Sequence, residues 1–185
     1  CGAYGEGGFG GGIAGDHGGM ADVEILNTDR YELGEGSRWA GDRLVLVDIP
    51  AGRLLTAQVD GLRPGIDLEE LARLDVPLAA IAPVAGRPGT WLAAAGTGFW
   101  EINPDGVREI AAPEPVTAQP WRMNDAVADR AGRFWAGSMA LDQSEGQGAL
   151  YRLDPDGSVH TVVRDLTIAN GPAFSPDGRT MYLSD

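Results

Sequence analysis

Residues 128–137 read ADRAGRFWAG and residues 175–182 read SPDGRTMY, so in both stretches a turn glycine is followed by a short run of β-forming residues. Weaker copies read AGRPGTWL at residues 85–92 and AGDRLVL at residues 40–46. The turn glycines of the four copies are spaced by 45, 46 and 46 residues, and they are Gly41, Gly86, Gly132 and Gly178. Such even spacing along a chain indicates a repeat architecture.

The residues between these turns read as β-strands. In the third repeat the sequence predicts strands at 133–139 and 148–153, followed by a turn at 155–157 and an outer strand at 158–163. Four short strands in a unit of about 45 residues are typical of a β-propeller blade. A helical solenoid would need amphipathic helices, and only residues 67–74 have a helical pattern. We therefore predict an all-β propeller, with no helix longer than about two turns.

Composition divides the chain into two parts. Ten of the first 19 residues are glycine, so residues 1–20 are predicted to be a disordered extension and residues 21–185 a partial propeller. The second part holds roughly three and a half repeats, whereas a propeller closes its ring to protect its edge strands. We expect the chain to be a fragment, or the product of a broken gene.

Charge and cysteine content limit the partners. The formal net charge is -13, which argues against nucleic acid and membrane partners and favours a neutral over an anionic substrate. The longest apolar stretch, residues 76–85, contains two prolines and is too short to span a bilayer. The single cysteine, Cys1, cannot form an internal disulfide, so we expect a cytoplasmic protein.

Polar residues recur where the inner strand of each blade begins, which is one mouth of a propeller channel. Asn124 and Asn170 stand eight residues before the turn glycine of their repeats, Glu35 stands six before Gly41, and the second repeat has Leu78. One carboxylate and two carboxamide oxygens suit a hard cation such as calcium, and zinc also accepts oxygen ligands. The sequence predicts that these oxygens converge on one ion.

Each of the three candidates also has a local interpretation. Glu35 lies between two glycines and could be a solvated turn residue. Asn170 with the glycine after it is a strong hairpin dipeptide, although Pro172 counts against an undisturbed hairpin. Asn124 with Asp125 could form an Asx-type turn. Their shared place in the repeat is what favours a common site.

Four motifs together resemble the senescence-marker protein (SMP-30, regucalcin)/gluconolactonase/luciferin-regenerating-enzyme-like family, from about residue 32 to residue 185. They are LGEGSRW at 33–39 followed by LVDI at 46–49, RMND at 122–125 with GRFWAGSM at 132–139, GALYRLD at 148–154, and IANGPAFS at 168–175. The chain departs from the family pattern at Ser37, where proline is usual, and at Ala126, where glycine is usual. The resemblance implies a six-bladed propeller with one divalent metal ion, calcium or zinc, in its channel.

The resemblance also implies roles for individual residues. Glu35 and Asn170 match metal ligands of the family, and Arg122 and Asn124 match residues that hold a sugar lactone. Asp142 falls where some members carry a substrate-contacting Glu. The third metal ligand of the family is an Asp that also acts as acid and base, and it belongs to a later blade, after residue 185.

The function implied is metal-assisted hydrolysis of a small-molecule sugar lactone such as gluconolactone, incomplete in this chain. The alternative is a non-catalytic propeller that binds calcium or a small molecule, and a third possibility is a non-functional remnant. An Asp at the mouth of the fifth blade would favour the enzyme.

Overall fold

The computed structural model describes residues 25–58 and 64–185. The predicted extension at residues 1–20 lies outside these residues. Within them the chain forms 14 β-strands and no helix, and every strand pair is antiparallel. The all-β prediction is confirmed, and none of the described residues belongs to a helix that could cross a membrane.

The strands form three four-stranded sheets and one two-stranded sheet, each in chain order. Blade 1 consists of β1 (Gly34–Ala40), β2 (Arg43–Asp48), β3 (Arg53–Gln58) and β4 (Glu69–Arg73). Blade 2 consists of β5 (Leu78–Pro83), β6 (Trp91–Ala95), β7 (Gly98–Asn103) and β8 (Gly106–Ala111). Blade 3 consists of β9 (Trp121–Ala128), β10 (Phe134–Ala140), β11 (Gly148–Leu153) and β12 (Val159–Leu166). Blade 4 has β13 (Asn170–Phe174) and β14 (Met181–Ser184). This is the predicted set of three blades and the beginning of a fourth.

The turn glycines mark the same place in every blade. Each lies between the inner strand and the second strand, and each has a positive φ: 68° at Gly41, 74° at Gly86, 79° at Gly132 and 70° at Gly178. A residue with a Cβ adopts this conformation only with strain, which explains why glycine recurs there. The spacing of the glycines therefore identified the repeating unit of the blades correctly.

The helical pattern at residues 67–74 is not a helix, because this segment supplies β4. Its strand pairs with β3, so that Leu54 lies opposite Ala72 and Arg53 opposite Arg73. Glu70 accepts hydrogen bonds from Arg53 Nε at 2.7 Å and from Arg73 Nη2 at 3.0 Å. A run of eight residues is too short for its periodicity to separate helix from strand, and pairing with β3 decides the outcome.

The core lies between neighbouring blades. One cluster joins blades 1 and 2 around Val47, Leu54 and Ile81, and the other joins blades 2 and 3. In the second cluster the rings of Phe99 and Phe134 meet edge to face, with centroids 6.0 Å apart. This packing sets the inner strands side by side, so that β9 lies between β5 and β13.

Candidate functional site at the mouth of the inner strands

The inner strands β1, β5, β9 and β13 begin at one end of the fold, which we call the mouth. Each of them has a register irregularity where it pairs with the second strand of its blade. In β1 the bulge lies between Glu35 and Arg38, and in β13 it lies between Asn170 and Ala173. Glu35 and Asn170 thus hold the same place, as the last paired residue before a bulge. Because a bulge bends the strand and re-aims its side chains, it is a common device beside functional sites.

Asn124 lies one residue further along its strand, relative to the bulge, than Glu35 and Asn170 do. In β9 the last paired residue before the bulge is Met123, and Asn124 is the first residue of the bulge itself. Three residue pairs separate this bulge from the turn in blade 3, but only two do so in blade 4. Counting back from the turn glycine therefore aligns Asn124 with Asn170, whereas strand pairing does not. In blade 2 the place before the bulge is held by the fully buried Leu78.

Three side chains of the mouth form a hydrogen-bonded chain. Arg122 Nη1 donates to Asn124 Oδ1 at 3.0 Å and to the Met123 carbonyl at 2.7 Å. Asn124 Nδ2 donates to Asn170 Oδ1 at 2.8 Å and to the Ala169 carbonyl at 3.0 Å. Asn124 is only 8% exposed, so its amide is buried with both N–H groups and its oxygen in use. These partners fix the orientation of the Asn124 amide.

The orientation of the Asn170 amide follows from its own partners. Asn170 Nδ2 donates to the Ile168 carbonyl at 3.2 Å, while Oδ1 accepts from Asn124. An amide oxygen has two lone pairs, so one hydrogen bond leaves Oδ1 able to bind a further partner. Asn170 is exposed at the mouth.

Glu35 interacts electrostatically with Arg122, a member of the same group of residues. Burial lowers the pKa of the Arg122 guanidinium, and the Glu35 carboxylate acts in the opposite direction and raises it. Such an effect requires the two charges to lie near each other. Glu35 itself is exposed, belongs to β1 and pairs with Val47 of β2, so it is a strand residue and not a turn residue. Glu35, Arg122, Asn124 and Asn170 thus bring one carboxylate, one half-buried guanidinium and two carboxamides to the mouth.

Asp142 lies at this end of blade 3 but outside the hydrogen-bonded chain. Its loop follows β10, whose residue Met139 pairs with Arg122 at the start of β9. Asp142 Oδ1 accepts a hydrogen bond from the Ser144 amide at 3.0 Å, and hydrogen bonds from Ser144 lower the pKa of the Asp142 carboxyl group. In this structure the Asp142 carboxylate thus forms its hydrogen bond within its own loop, to Ser144.

The contacts of the two asparagines bear on the hairpin turn and the Asx-type turn that the sequence left open for them. Asn170 is the first residue of β13 and pairs with Ser184, and Gly171, with a φ of 56°, belongs to the bulge; the pair is therefore not the turn of a hairpin. At Asn124, the side chain binds across to the next blade, whereas Asp125 Oδ1 accepts the amide of the residue after it.

Two charged residues of the mouth were missed by the sequence reasoning. Arg38 Nε donates to the Gly36 carbonyl at 3.3 Å, inside the bulge of β1. Asp125 Oδ2 accepts the Gly171 amide at 2.8 Å, at the bulge of β13. Neither contact follows from the repeat, because Arg38 and Asp125 occupy different places in their blades.

The donors at the mouth fit a hard divalent cation better than a soft one. In the described part of the chain, no group of three or more His, Cys, Asp or Glu residues is placed to hold a metal ion. An ion at the mouth would therefore depend on the Glu35 carboxylate and on amide oxygens such as Asn170 Oδ1. Oxygen ligands of this kind suit calcium, whereas zinc sites are richer in nitrogen and sulfur ligands.

A family model described as "SMP-30/Gluconolactonase/LRE-like region" matches residues 33–185. The chain is 35% identical over 172 residues to the pentonolactonase XacC of Haloferax volcanii, covering 90% of this chain and 54% of the relative. It is 30% identical over 171 residues to regucalcin of Pongo abelii, covering 88% of this chain and 55% of the relative. The chain thus spans about half the length of these curated relatives.

Solved structures show the same architecture. The fold is similar to that of a luciferin-regenerating enzyme, with a TM-score of 0.73 and 28% identity, over 84% of this chain and 53% of the other. It is also similar to a protein described as a calcium-binding protein, regucalcin, from Agrobacterium tumefaciens, with a TM-score of 0.72 and 24% identity, over 84% and 51% of the two chains. These likenesses agree with a partial propeller of the predicted kind.

Proposed function

This chain belongs to the SMP-30/gluconolactonase/LRE-like family, and from that premise we propose that its mouth is part of the active site of a metal-dependent sugar lactone hydrolase. The observation that carries the proposal is the hydrogen-bonded chain from Arg122 through Asn124 to Asn170, with Glu35 acting on Arg122. Two of the lactonases among its relatives, a pentonolactonase and a 6-deoxy-6-sulfogluconolactonase, support the substrate class.

Glu35 and Asn170 would hold one divalent metal ion, for which calcium fits the oxygen donors best and zinc is the other candidate. When bound, such an ion would polarise the lactone carbonyl and lower the pKa of a water molecule. Asn124 supports this arrangement by donating to Asn170 Oδ1, because the bond keeps an oxygen, and not an NH₂ group, at the mouth.

Arg122 and Asn124 would orient the sugar lactone. A guanidinium group has five N–H donors, and within the described part of the chain Arg122 donates two hydrogen bonds, both from Nη1. The donors on Nε and Nη2 could bind substrate oxygens, and half-burial strengthens such bonds because less water competes for them. Holding the lactone in one orientation is a large part of what an active site contributes to rate.

Asp142 would add a contact to the substrate, and a further residue would transfer the protons. Asp142 lies on the loop beside the start of β9. A substrate hydroxyl bound there could donate a hydrogen bond to the Asp142 carboxylate in place of the Ser144 amide. The acid and base would be the Asp that the family resemblance implies in a later blade. General acid–base catalysis contributes typically about 10²–10⁴-fold.

The test is hydrolysis of gluconolactone and of pentonolactones by a protein that carries the later blades, with and without a chelator. Arg122→Met should raise the KM or lower kcat, whereas Arg130→Met, at an exposed turn position, should change neither. Full activity in the presence of a chelator, or full activity of the Arg122→Met variant, would refute the proposed site.

A second candidate is a calcium-binding propeller without catalysis, which the name regucalcin among the relatives favours. Calcium binding that depends on Glu35, together with no turnover of any sugar lactone, would select it.

A further inference from the structure

An aspartate occupies the same place in the second strand of blade 1 and of blade 4. Asp48 directly follows the residue that pairs with Glu35, and Asp185 directly follows the residue that pairs with Asn170. We propose that these two aspartates are positioning residues of the site, which fix the backbone that leads into Glu35 and into Asn170. The inference rests on the proposed function, because it takes Glu35 and Asn170 as the metal ligands.

In blade 1 the carboxylate of Asp48 binds the segment before Glu35. Asp48 Oδ1 accepts the Leu33 amide at 3.0 Å, and Oδ2 accepts the Glu32 amide at 3.3 Å. These amides belong to the residues two and three positions before Glu35. Asp48 is only 3% exposed, and a hydrogen bond is stronger in such a place than in water. The buried carboxylate therefore fixes the direction in which the chain enters β1.

Asp185 makes the same pair of contacts in blade 4. Its Oδ1 accepts the Thr167 amide at 2.6 Å and the Ile168 amide at 2.9 Å, again three and two positions before the candidate ligand. Hydrogen bonds to an ionised carboxylate are stronger than those between neutral groups, which favours this contact although Asp185 is exposed. The Ile168 carbonyl in turn accepts Asn170 Nδ2 at 3.2 Å. Asp185 thus acts on the Asn170 side chain through a single residue.

The other two blades lack both the aspartate and the ligand. Of the four blades in the described chain, only blades 1 and 4 have an acid at this place, which is held by Gly96 in blade 2 and by Met139 in blade 3. The last paired residue before the bulge in these blades is Leu78 or Met123, fully buried and without an oxygen for a hard cation. The acid and the candidate ligand therefore occur together, which favours a role in the site over a role in every blade.

Each candidate ligand is held from both sides along its strand. The aspartate binds the two amides before it, and the bulge follows directly after it. Because a bulge bends the strand and re-aims its side chains, the direction of the ligand depends on how the backbone before the bulge is anchored. Residues that orient a metal ligand in this way commonly matter for affinity, and their loss typically weakens metal binding about 10–100-fold.

The first experiment measures calcium binding by the 185-residue chain in a calorimeter, with Ca²⁺ alone as the probe. Asp185→Ala removes the acceptor of both amides and should weaken binding roughly 10–100-fold. Asp185→Asn can keep an oxygen in the place of Oδ1, which accepts both amides, so it should restore most of the affinity. The matched control is Asp156→Ala, which removes an exposed carboxylate that accepts the Ser158 amide at 3.0 Å in an outer turn. Its calcium affinity should be unchanged.

In blade 1 the asparagine substitution should have the opposite result. Asp48 uses a different oxygen for each amide, so Asp48→Asn places an NH₂ group against one of the two amides without leaving a cavity. We expect calcium affinity to fall at least about tenfold. The matched control is Asp129→Asn, because Asp129 Oδ1 also accepts two backbone amides, those of Ala131 and Arg133, at the turn between β9 and β10. This control should bind calcium as the wild type does.

The second experiment needs no metal and follows the side-chain amide protons of Asn124 by NMR. Asn124 Nδ2 donates to Asn170 Oδ1, so these resonances report where the Asn170 side chain lies. Asp185→Ala should shift them and accelerate their exchange with solvent roughly tenfold or more, because the Asn170 side chain is no longer held. Asp185→Asn and Asp156→Ala should leave them close to those of the wild type.

The results separate the positioning role from the proposed metal site. Calcium affinity of Asp185→Ala or of Asp48→Asn equal to that of its control would overturn the positioning role. An Asp185→Asn variant as weak as Asp185→Ala would also overturn it, since charge and not hydrogen bonding would then be responsible. If the wild type does not bind calcium, or binds it no more tightly than Glu35→Gln, the metal site is wrong. The Asn124 resonances then decide: a shift in Asp185→Ala supports the hold on Asn170, and unchanged resonances overturn it.

Discussion

Asn124 Nδ2 donates a hydrogen bond to Asn170 Oδ1 at 2.8 Å and thereby joins the inner strands of blades 3 and 4. Asn124→Asp replaces the donor with an acceptor, so two oxygens would face each other at a partly buried contact. We expect this substitution to lower the free energy of unfolding by about 1–3 kcal/mol, the cost of leaving buried polar groups unpaired. Urea unfolding measures this, and Gln119→Ala, at an exposed amide, should have almost no effect. An unchanged stability of Asn124→Asp would mean that the bond contributes nothing.

Glu35→Gln tests the proposed metal ligand with almost no change in shape. Because the substitution removes a negative charge from the donor set, calcium affinity should fall at least about tenfold, while the melting temperature of the metal-free protein stays near that of the wild type. Calorimetry with Ca²⁺ measures the first quantity and a thermal scan the second. Glu114→Gln, at an exposed position outside the mouth, is the matched control. Equal calcium affinity in both variants would remove Glu35 from the site.

Glu101 gives a prediction about acid stability. It is 6% exposed, it accepts from Arg87 Nη1 at 2.7 Å and from Arg108 Nη2 at 3.1 Å, and the hydrogen bond from Arg87 is the largest cause that lowers its pKa to about 2. A depressed pKa means that the folded state favours the ionised form, so this stabilisation is present above about pH 4.5 and is lost as the pH falls towards 2.

Glu101→Gln should therefore be less stable than the wild type by about 1–2 kcal/mol at neutral pH. The expected loss is no larger because both arginines are largely exposed and water weakens their pairing with Glu101. The difference should shrink towards pH 2. Denaturant unfolding at several pH values checks this, and a constant difference across the range would contradict it.

Gly137 lies where β10 approaches the segment before β13. A Cβ at this position would come within 2.6 Å of the Ala169 Cβ and 2.8 Å of the Ala169 carbonyl oxygen, next to Asn170. Gly137→Ala should therefore destabilise the fold by about 1–3 kcal/mol and displace Asn170, weakening calcium binding as well. At Gly34 the nearest atom, in Tyr31, would be 3.4 Å away, so Gly34→Ala is the matched control. Equal stability of the two variants would show that the close approach is not strained.

The blades could be predicted from the sequence because their signals are local. A turn glycine needs a positive φ, and the strand that follows Gly132 is written in consecutive residues, so repeat spacing located every blade. Asn170 could be singled out because, like Asn124, it stands eight residues before its turn glycine, and Glu35 because it stands six before Gly41. Their role as metal ligands stays a prediction.

The contacts that cross between blades could not be predicted in the same way. The one-residue offset of Asn124 depends on how far its bulge lies from the turn, which only strand pairing reveals. The bond from Asp125 to the Gly171 amide joins residues 46 positions apart. Its acceptor is one of many acidic side chains, and its donor is a backbone group that every residue except proline carries.

The last prediction concerns activity and follows from the residues that this chain contains. We expect the 185-residue chain to have little or no lactonase activity, and a protein extended through the later blades to have it. The Asp that the resemblance implies as acid and base would come from those blades, and general base catalysis typically contributes about 10²–10⁴-fold. The exposed edge of β14 would also pair with a further strand, which would make the mouth more rigid. Hydrolysis of gluconolactone by both proteins, with and without chelator, decides the matter: full and chelator-insensitive activity of the short chain would show that the reaction needs neither the metal nor the additional Asp.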